Sequence, residues 1–280
     1  MGYLMVPFLV LSGVLGLVIG SFLNVVAYRV PAMRSIVSPP SACPTCGTAI
    51  QARDNVPVLS WLLLRGKCRT CANPISKRYP LVELGTGLFF AAVMVWCGMS
   101  TGDVSTGSTG GMVAWLLGLV AFLYLAAISM VLALIDVDTH TLPNRIVLPS
   151  YVVGIVLLGA ASLLAGDAGA LLRAGIGMAA LWLAYLGMAL AYPGGMGFGD
   201  VKLAGVLGLY LGWLGWGPLA VGAFAAFLLG GVFSIWLLAA RKAGRKSGIP
   251  FGPWMLAGAW VGIFFGESIA TGYLALVGLT

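Results

Sequence analysis

Eight stretches of the chain are apolar almost throughout, and short polar stretches divide them. They run roughly over residues 4–27, 81–99, 113–135, 146–165, 172–192, 201–215, 218–240 and 254–278. About 20 apolar residues in a helix cross the hydrocarbon core of a bilayer. The pattern therefore predicts an all-α polytopic membrane protein with about eight transmembrane helices. The sixth stretch is short, so its helix is expected to tilt, to sit where the bilayer is thin, or to enter only partway.

Composition agrees with this reading. Of the 280 residues, 60% are apolar and 8% are charged, against about 25% charged in a soluble domain. Forty-one glycines suit close helix packing in lipid. The net charge of +7 does not point to nucleic acid, because the basic residues lie between the spans rather than along one face. That placement is the signature of membrane orientation. No Lys or Arg precedes the first stretch, whereas Arg29 and Arg34 follow it. This argues against a cleavable signal peptide, which needs a basic start, and for an N-terminus outside the cytosol. Alternation then makes 28–80, 136–145, 193–200 and 241–253 the cytosolic connections. Among all the Lys and Arg residues, only Arg173 falls on the outer side. Both termini are expected outside. The small polar loop 100–112 reads as a linker between a two-span front part and a six-span back part.

The front part carries Cys43-Pro-Thr-Cys46 and Cys68-Arg-Thr-Cys71 in its long cytosolic loop. Two such pairs offer four thiolates for a tetrahedral zinc site, and the cytosol disfavours disulfides. A redox relay is the alternative, but it needs one pair rather than two. Four cysteine ligands leave no open position, so the expected zinc is structural and closes a loop too poor in apolar residues to build its own core. Cys97, alone in an apolar run, reads as a small buried hydrophobe.

In the back part, Asp136 closes the third apolar stretch and Asp200 opens the sixth, behind Gly194-Gly195-Met196-Gly197-Phe198-Gly199. Ionisable residues at membrane depth are costly and mark function by default. Two carboxylates at one face, beside a low-dielectric wall, suit shared-proton catalysis: one draws a proton from water and the other donates to a carbonyl oxygen. The plain alternative is a pair of solvated interfacial aspartates, with Asp138 as a third. His140 reads as an interfacial polar residue. Glu83, near a helix start, reads first as a partner of the helix dipole. Glu267 lies about 21 Å along its helix from Pro253, too far from Asp200 to share its proton.

Taken together, these motifs resemble the bacterial type IV prepilin peptidases, within the Gly-x-Gly-Asp membrane aspartyl proteases that also include presenilin. Gly197-Phe198-Gly199-Asp200 is that motif, with Lys202 after it, and Asp136 stands before Leu142-Pro143 as the first catalytic aspartate does. The front part is similar from Gly20–Asn24 through Arg29, Pro31 and the cysteine pairs to Arg78-Tyr79-Pro80 and Glu83. Archaeal preflagellin peptidases lack the cysteine loop, so the resemblance is to the bacterial branch.

The resemblance implies two reactions at the cytosolic face of a bacterial inner membrane, with both termini periplasmic. One is cleavage of the leader of prepilins and type II secretion pseudopilins. The other is N-methylation of the new N-terminal residue from S-adenosylmethionine. It makes Asp136 and Asp200 catalytic, and Gly197, Gly199 and Lys202 the place where substrate backbone approaches. Residues 113–280 would be the protease and 1–100 the methyltransferase part. No glycine-rich nucleotide loop places the methyl donor, and Asn24, Arg78 and Glu83 are the candidates for that reaction. Two other classes compete: a proton- or ion-coupled transporter, which would show duplicated halves and midplane charges, and a zinc-dependent assembly protein without catalysis.

Overall fold

The structure, a computed structural model, describes residues 2–100, 109–192, 194–240 and 250–278. Most of the linker at 100–112 and the basic residues Arg241, Lys242, Arg245 and Lys246 lie outside the described residues. The long helices are α1 (Gly2–Arg29), α3 (Arg78–Ser100), α4 (Thr109–Thr139), α5 (Asn144–Ala165), α6 (Ala168–Ala191), α8 (Trp216–Ala239) and α9 (Gly252–Leu276). A five-residue helix, α2 (Leu59–Leu63), lies in the first connection, and α7 (Phe198–Leu214) has 17 residues. Seven helices among the described residues are long and apolar enough to cross a membrane, and Cys43, Cys46, Cys68 and Cys71 lie between the first two of them. The sixth apolar stretch, expected to be short, is α7, whose 17 residues rise only about 26 Å at 1.5 Å each.

The described residues form two compact units. One holds the described residues before 104 together with Phe122–Leu134 of α4; the other holds 109–121 and everything from Ile135 on. In the first unit, α1 and α3 pack at backbone distance. A Cβ on Gly16 would lie 2.7 Å from the Thr86 carbonyl oxygen, and one on Gly20 would lie 2.8 Å from the Glu83 Cα. Small residues four apart let helices approach this closely where lipid offers no hydrophobic drive to associate. Ser12 donates from Oγ to the Phe90 carbonyl at 3.0 Å, which satisfies its hydroxyl inside the pair. Trp96 of α3 meets Phe122 of α4 edge-on at 4.9 Å.

In the second unit α7 is the hub. From Val201 to Gly212 every residue but Lys202 is buried. A helix apolar all round is one that packs on all sides. Gly208 and Gly212 abut Gly177 of α6, where a Cβ on Gly177 would lie 2.5 Å from the Gly208 carbonyl oxygen. Gly258, Gly262 and Gly266 of α9 make the same kind of contact with Ala226, Gly222 and Pro218 of α8. A single residue, Gly215 at φ 155°, joins α7 to α8 in a conformation that favours glycine. Glu267, far along α9, lies beside the start of α8: a Cβ on Gly217 would be 3.0 Å from its Oε2. So α7 begins at the end of the unit that holds Gly252 and finishes at the end that holds Glu267, and it runs the length of the bundle despite being short.

Candidate active site and cysteine cluster

Asp136 sits in the last turn of α4, next to the fully buried Ile135. The helix stops because the next residues turn away from it. His140 takes a positive φ of 52° while its N–H still reaches the Asp136 carbonyl at 2.8 Å. Thr139 donates back to the Ile135 carbonyl at 2.8 Å. Pro143, extended, then leads into α5. Asp136 as a residue is 5% exposed, and its Oδ2 accepts the Gly252 backbone N–H at 3.0 Å. That glycine opens α9. A Cβ there would lie 2.7 Å from the same oxygen, so any side chain would press on the carboxylate. Phe251, one residue earlier, is held by aromatic contacts with Phe227 at 5.5 Å and Tyr185 at 6.3 Å.

Asp200 lies in the first turn of α7 and closes that turn on itself: its Oδ2 accepts the Gly197 N–H at 3.2 Å. A carboxylate there also complements the positive end of the helix. Gly199 has a neighbour inside the protein, since a Cβ on it would lie 2.9 Å from the Leu142 Cβ. A Cβ on Gly197 would meet only its own turn, Asp200 Oδ2 at 3.3 Å and the Gly199 nitrogen at 3.9 Å. Lys202 donates to Asn144 Oδ1 at 2.9 Å, and its ammonium lies 5.1 Å from the centre of the Phe198 ring.

These pieces enclose one cavity of about 320 Å³. Asp136, Gly197, Gly199, Asp200 and Lys202 all line it, together with Asn144 and the turn from His140 to Leu142. The first five of those are charged or glycine positions picked out by the sequence. His140, read as a bystander, borders the cavity as well, and Asp138 is exposed. Sequence reasoning used Leu142 only as a landmark of the Leu142-Pro143 motif and missed Gly252. The one available signal was the tight Pro250-Phe251-Gly252-Pro253 run, which looks like a turn.

The four cysteines of the loop also converge. Their sulfur atoms all lie within 4.8 Å of one another, and Cys43 and Cys71 are 3.7 Å apart. Zinc–sulfur bonds near 2.3 Å in a tetrahedron put sulfurs about 3.8 Å apart, so the donor set fits that ion. Each pair is built the same way. Gly47 N–H reaches the Cys43 carbonyl at 2.9 Å, and Ala72 N–H reaches that of Cys68 at 2.9 Å. Gly47 and Ala72 both take positive φ to turn the chain, and two short β-bridges close the knuckles. Hydrogen bonding with the Thr48 side chain, then its backbone, brings the Cys46 thiol down to about 6. Backbone hydrogen bonds from Cys71 and Thr70 lower Cys68. Against a backbone hydrogen bond at Asn73 that lowers it, Cys71 is pushed up to about 12 by desolvation and the other three sulfurs. Crowded thiolates repel, and a divalent cation is what relieves that repulsion. Arg69 clamps Asp54 with a closest contact of 2.6 Å, and hydrogen bonding from that guanidinium holds the Asp54 carboxyl below its usual range.

The three residues marked for methyl transfer lie where α1 meets the start of α3. Asn24 is buried and donates to the Tyr79 and Gly20 carbonyls at 3.2 and 3.3 Å, tying α1 to the start of α3. Arg78 is the first residue of α3. Glu83 lies in the second turn rather than the first, and its Oε2 accepts the Val58 N–H at 2.7 Å. It therefore anchors the loop instead of facing the helix dipole.

Residues 14–97 match the model of the bacterial peptidase A24 N-terminal domain, and residues 123–235 match that of the type IV leader peptidase family. Relatives named prepilin leader peptidase/N-methyltransferase align over nearly the whole chain. The protein of Stutzerimonas stutzeri is 35% identical over 95% of this chain and 94% of its own. That of Pseudomonas aeruginosa is 34% identical over 97% and 95%. That of Myxococcus xanthus is 39% identical over 88% of this chain and 68% of its own. No solved structure matches the chain. Two domain models in the right order, and relatives that share a third of their residues from end to end, leave one assignment: the chain belongs to the type IV leader peptidase family, in the bacterial branch that carries the A24 N-terminal domain.

Proposed function

We propose that this chain cleaves the leader peptides of type IV prepilins and type II secretion pseudopilins, then N-methylates the new N-terminal residue, with Asp136 and Asp200 as the catalytic pair. The observation that carries this reading is the cavity into which α4 and α7 each deliver one carboxylate. Both stand in the terminal turns of their helices, at one end of the bundle. A transporter would keep such groups near the midplane.

The chemistry follows from like charges sharing one site: both cannot ionise easily, so the pair holds one proton. The ionised carboxylate takes a proton from a water molecule as its oxygen attacks the scissile carbonyl. The protonated partner gives its proton to the carbonyl oxygen, forming a neutral gem-diol. When that collapses, the first carboxylate passes its proton to the leaving amine, and the second recovers one from the diol. Backbone N–H groups of Gly252 and Gly197 orient the two carboxylates. Gly197 leaves room for an extended substrate backbone beside Asp200, and Lys202 and Asn144 form the polar edge of the same cavity.

Cys43, Cys46, Cys68 and Cys71 would hold one structural zinc, which supplies closure of the loop and no reaction step. S-adenosylmethionine is the methyl donor and a second substrate. Methyl transfer belongs to residues 1–100, with Asn24, Arg78 and Glu83 as candidates, and cleavage to residues 113–280. The protein works in the bacterial inner membrane with the carboxylates at the cytosolic face and both termini periplasmic, the orientation favoured by its basic residues. Purified protein incubated with a prepilin and methyl donor should shorten the prepilin and add the mass of one methyl group to its new end. An unchanged prepilin would sink the reading.

A further inference from the structure

We propose that α2 is a membrane-contact element: Leu59, Leu62 and Leu63 insert into the lipid leaflet and seat the cysteine loop on the membrane surface. These three residues stand at i, i+3 and i+4, so they share one face of the helix. They are 58%, 57% and 83% exposed within the protein. The other face is fully engaged. Ser60 is buried, donating to the Arg53 carbonyl at 3.1 Å and accepting the Val56 N–H at 3.0 Å. Trp61 donates from Nε1 to the Ile75 carbonyl at 3.1 Å, and its ring packs on Gly66, where a Cβ would come within 2.7 Å. The leucines are therefore surplus to the loop's own packing.

Two observations name lipid as the occupant. The first is depth. Val58, at the start of α2, takes a φ of 61°, rare for a β-branched residue, and its N–H is held by Glu83 of α3 at 2.7 Å. Glu83 lies in the second turn of a helix long and apolar enough to cross the membrane. The exposed stripe of that helix, Leu81, Leu84 and Leu88, starts two residues before it. So α2 is fixed at the level where α3 enters the hydrocarbon. The second is charge: Arg65 and Lys67 follow α2 directly, where anionic headgroups attract basic side chains. A short helix with leucines on one face and basic residues at its end is the form of an interfacial element.

The proposal stands apart from the catalytic reading, and so does its test. Full-length protein carrying the photoreactive residue p-benzoylphenylalanine in place of Leu63 is placed in nanodiscs of phosphatidylethanolamine and phosphatidylglycerol, then irradiated. Peptide mass spectrometry should find phospholipid adducts at position 63, as at position 84 on α3, and none at Gln51, an exposed residue of the same loop. Adducts at 84 but not at 63, or adducts at 63 to a second copy of the chain or to added prepilin in place of lipid, would overturn it. A second measurement does not depend on photochemistry. The Leu62→Asp, Leu63→Asp double variant should speed amide exchange across residues 56–66 in nanodiscs by tenfold or more while leaving it unchanged in detergent. Equal exchange in nanodiscs would overturn the proposal as well.

Discussion

At Asp136 the decisive partner is a backbone amide. The Gly252 N–H fixes one carboxylate oxygen, and the missing Cβ leaves that oxygen where it is. Gly252→Ala should therefore push the carboxylate aside. Displacements near 1 Å at a catalytic group cost on the order of 10²-fold in rate, so kcat for prepilin cleavage should fall by about that factor. Methylation of an already cleaved pilin should persist. Side-by-side kinetics of the two reactions check this, and an equal loss of both would point to a folding defect instead. The aspartates themselves were legible in the sequence because charge inside an apolar chain stands out. Gly252 was not, because a glycine between prolines reads as a turn and its partner lies 116 positions away. Glu83 misled for a related reason: a carboxylate near a helix start suggests the dipole, but a backbone N–H from the preceding loop claimed it.

Between helices, packing depends on where glycines meet. On α6, Gly177 faces α7 at backbone distance, while Gly175 has nothing within 4 Å of its place for a Cβ. Gly177→Leu should therefore destabilise the protein by about 1–3 kcal/mol, the usual cost of overpacking, and Gly175→Leu should be neutral. Thermal unfolding of the two variants in the same detergent makes the comparison. Unbroken apolar runs located all eight stretches, yet they could not tell α7, buried on all sides, from helices that face lipid, since lipid tails are as apolar as a leucine-rich interior. The cysteine loop was more legible, because its ligand spacing encodes its geometry. Reduced protein purified without chelator should carry about one zinc per chain, and Cys43→Ser should lower that content and expose the loop to protease. Metal analysis finding none would remove the ion from the account. Zinc competes with protons for the sulfurs, so retention should weaken as pH falls into the acid range.

Across the whole molecule, the front part carries the cysteine loop and the back part carries the carboxylate cavity. The sequence motifs named the four cysteines that converge and the two aspartates that line one cavity, and similarity to relatives of the family runs from end to end. What the motifs left open is the methyl-transfer centre, because no glycine-rich nucleotide loop marks a donor site. The central claim is that Asp136 and Asp200 act as one unit in cleavage and take no part in methylation. The most direct measurement follows prepilin length and N-terminal mass for Asp136→Asn, Asp200→Asn and the double variant, with intact and pre-cleaved pilin as substrates. Each single change should abolish cleavage, and the double should be no worse than either alone, since groups that act together are not additive. All three variants should still methylate the pre-cleaved pilin. Full cleavage by Asp200→Asn would contradict the account.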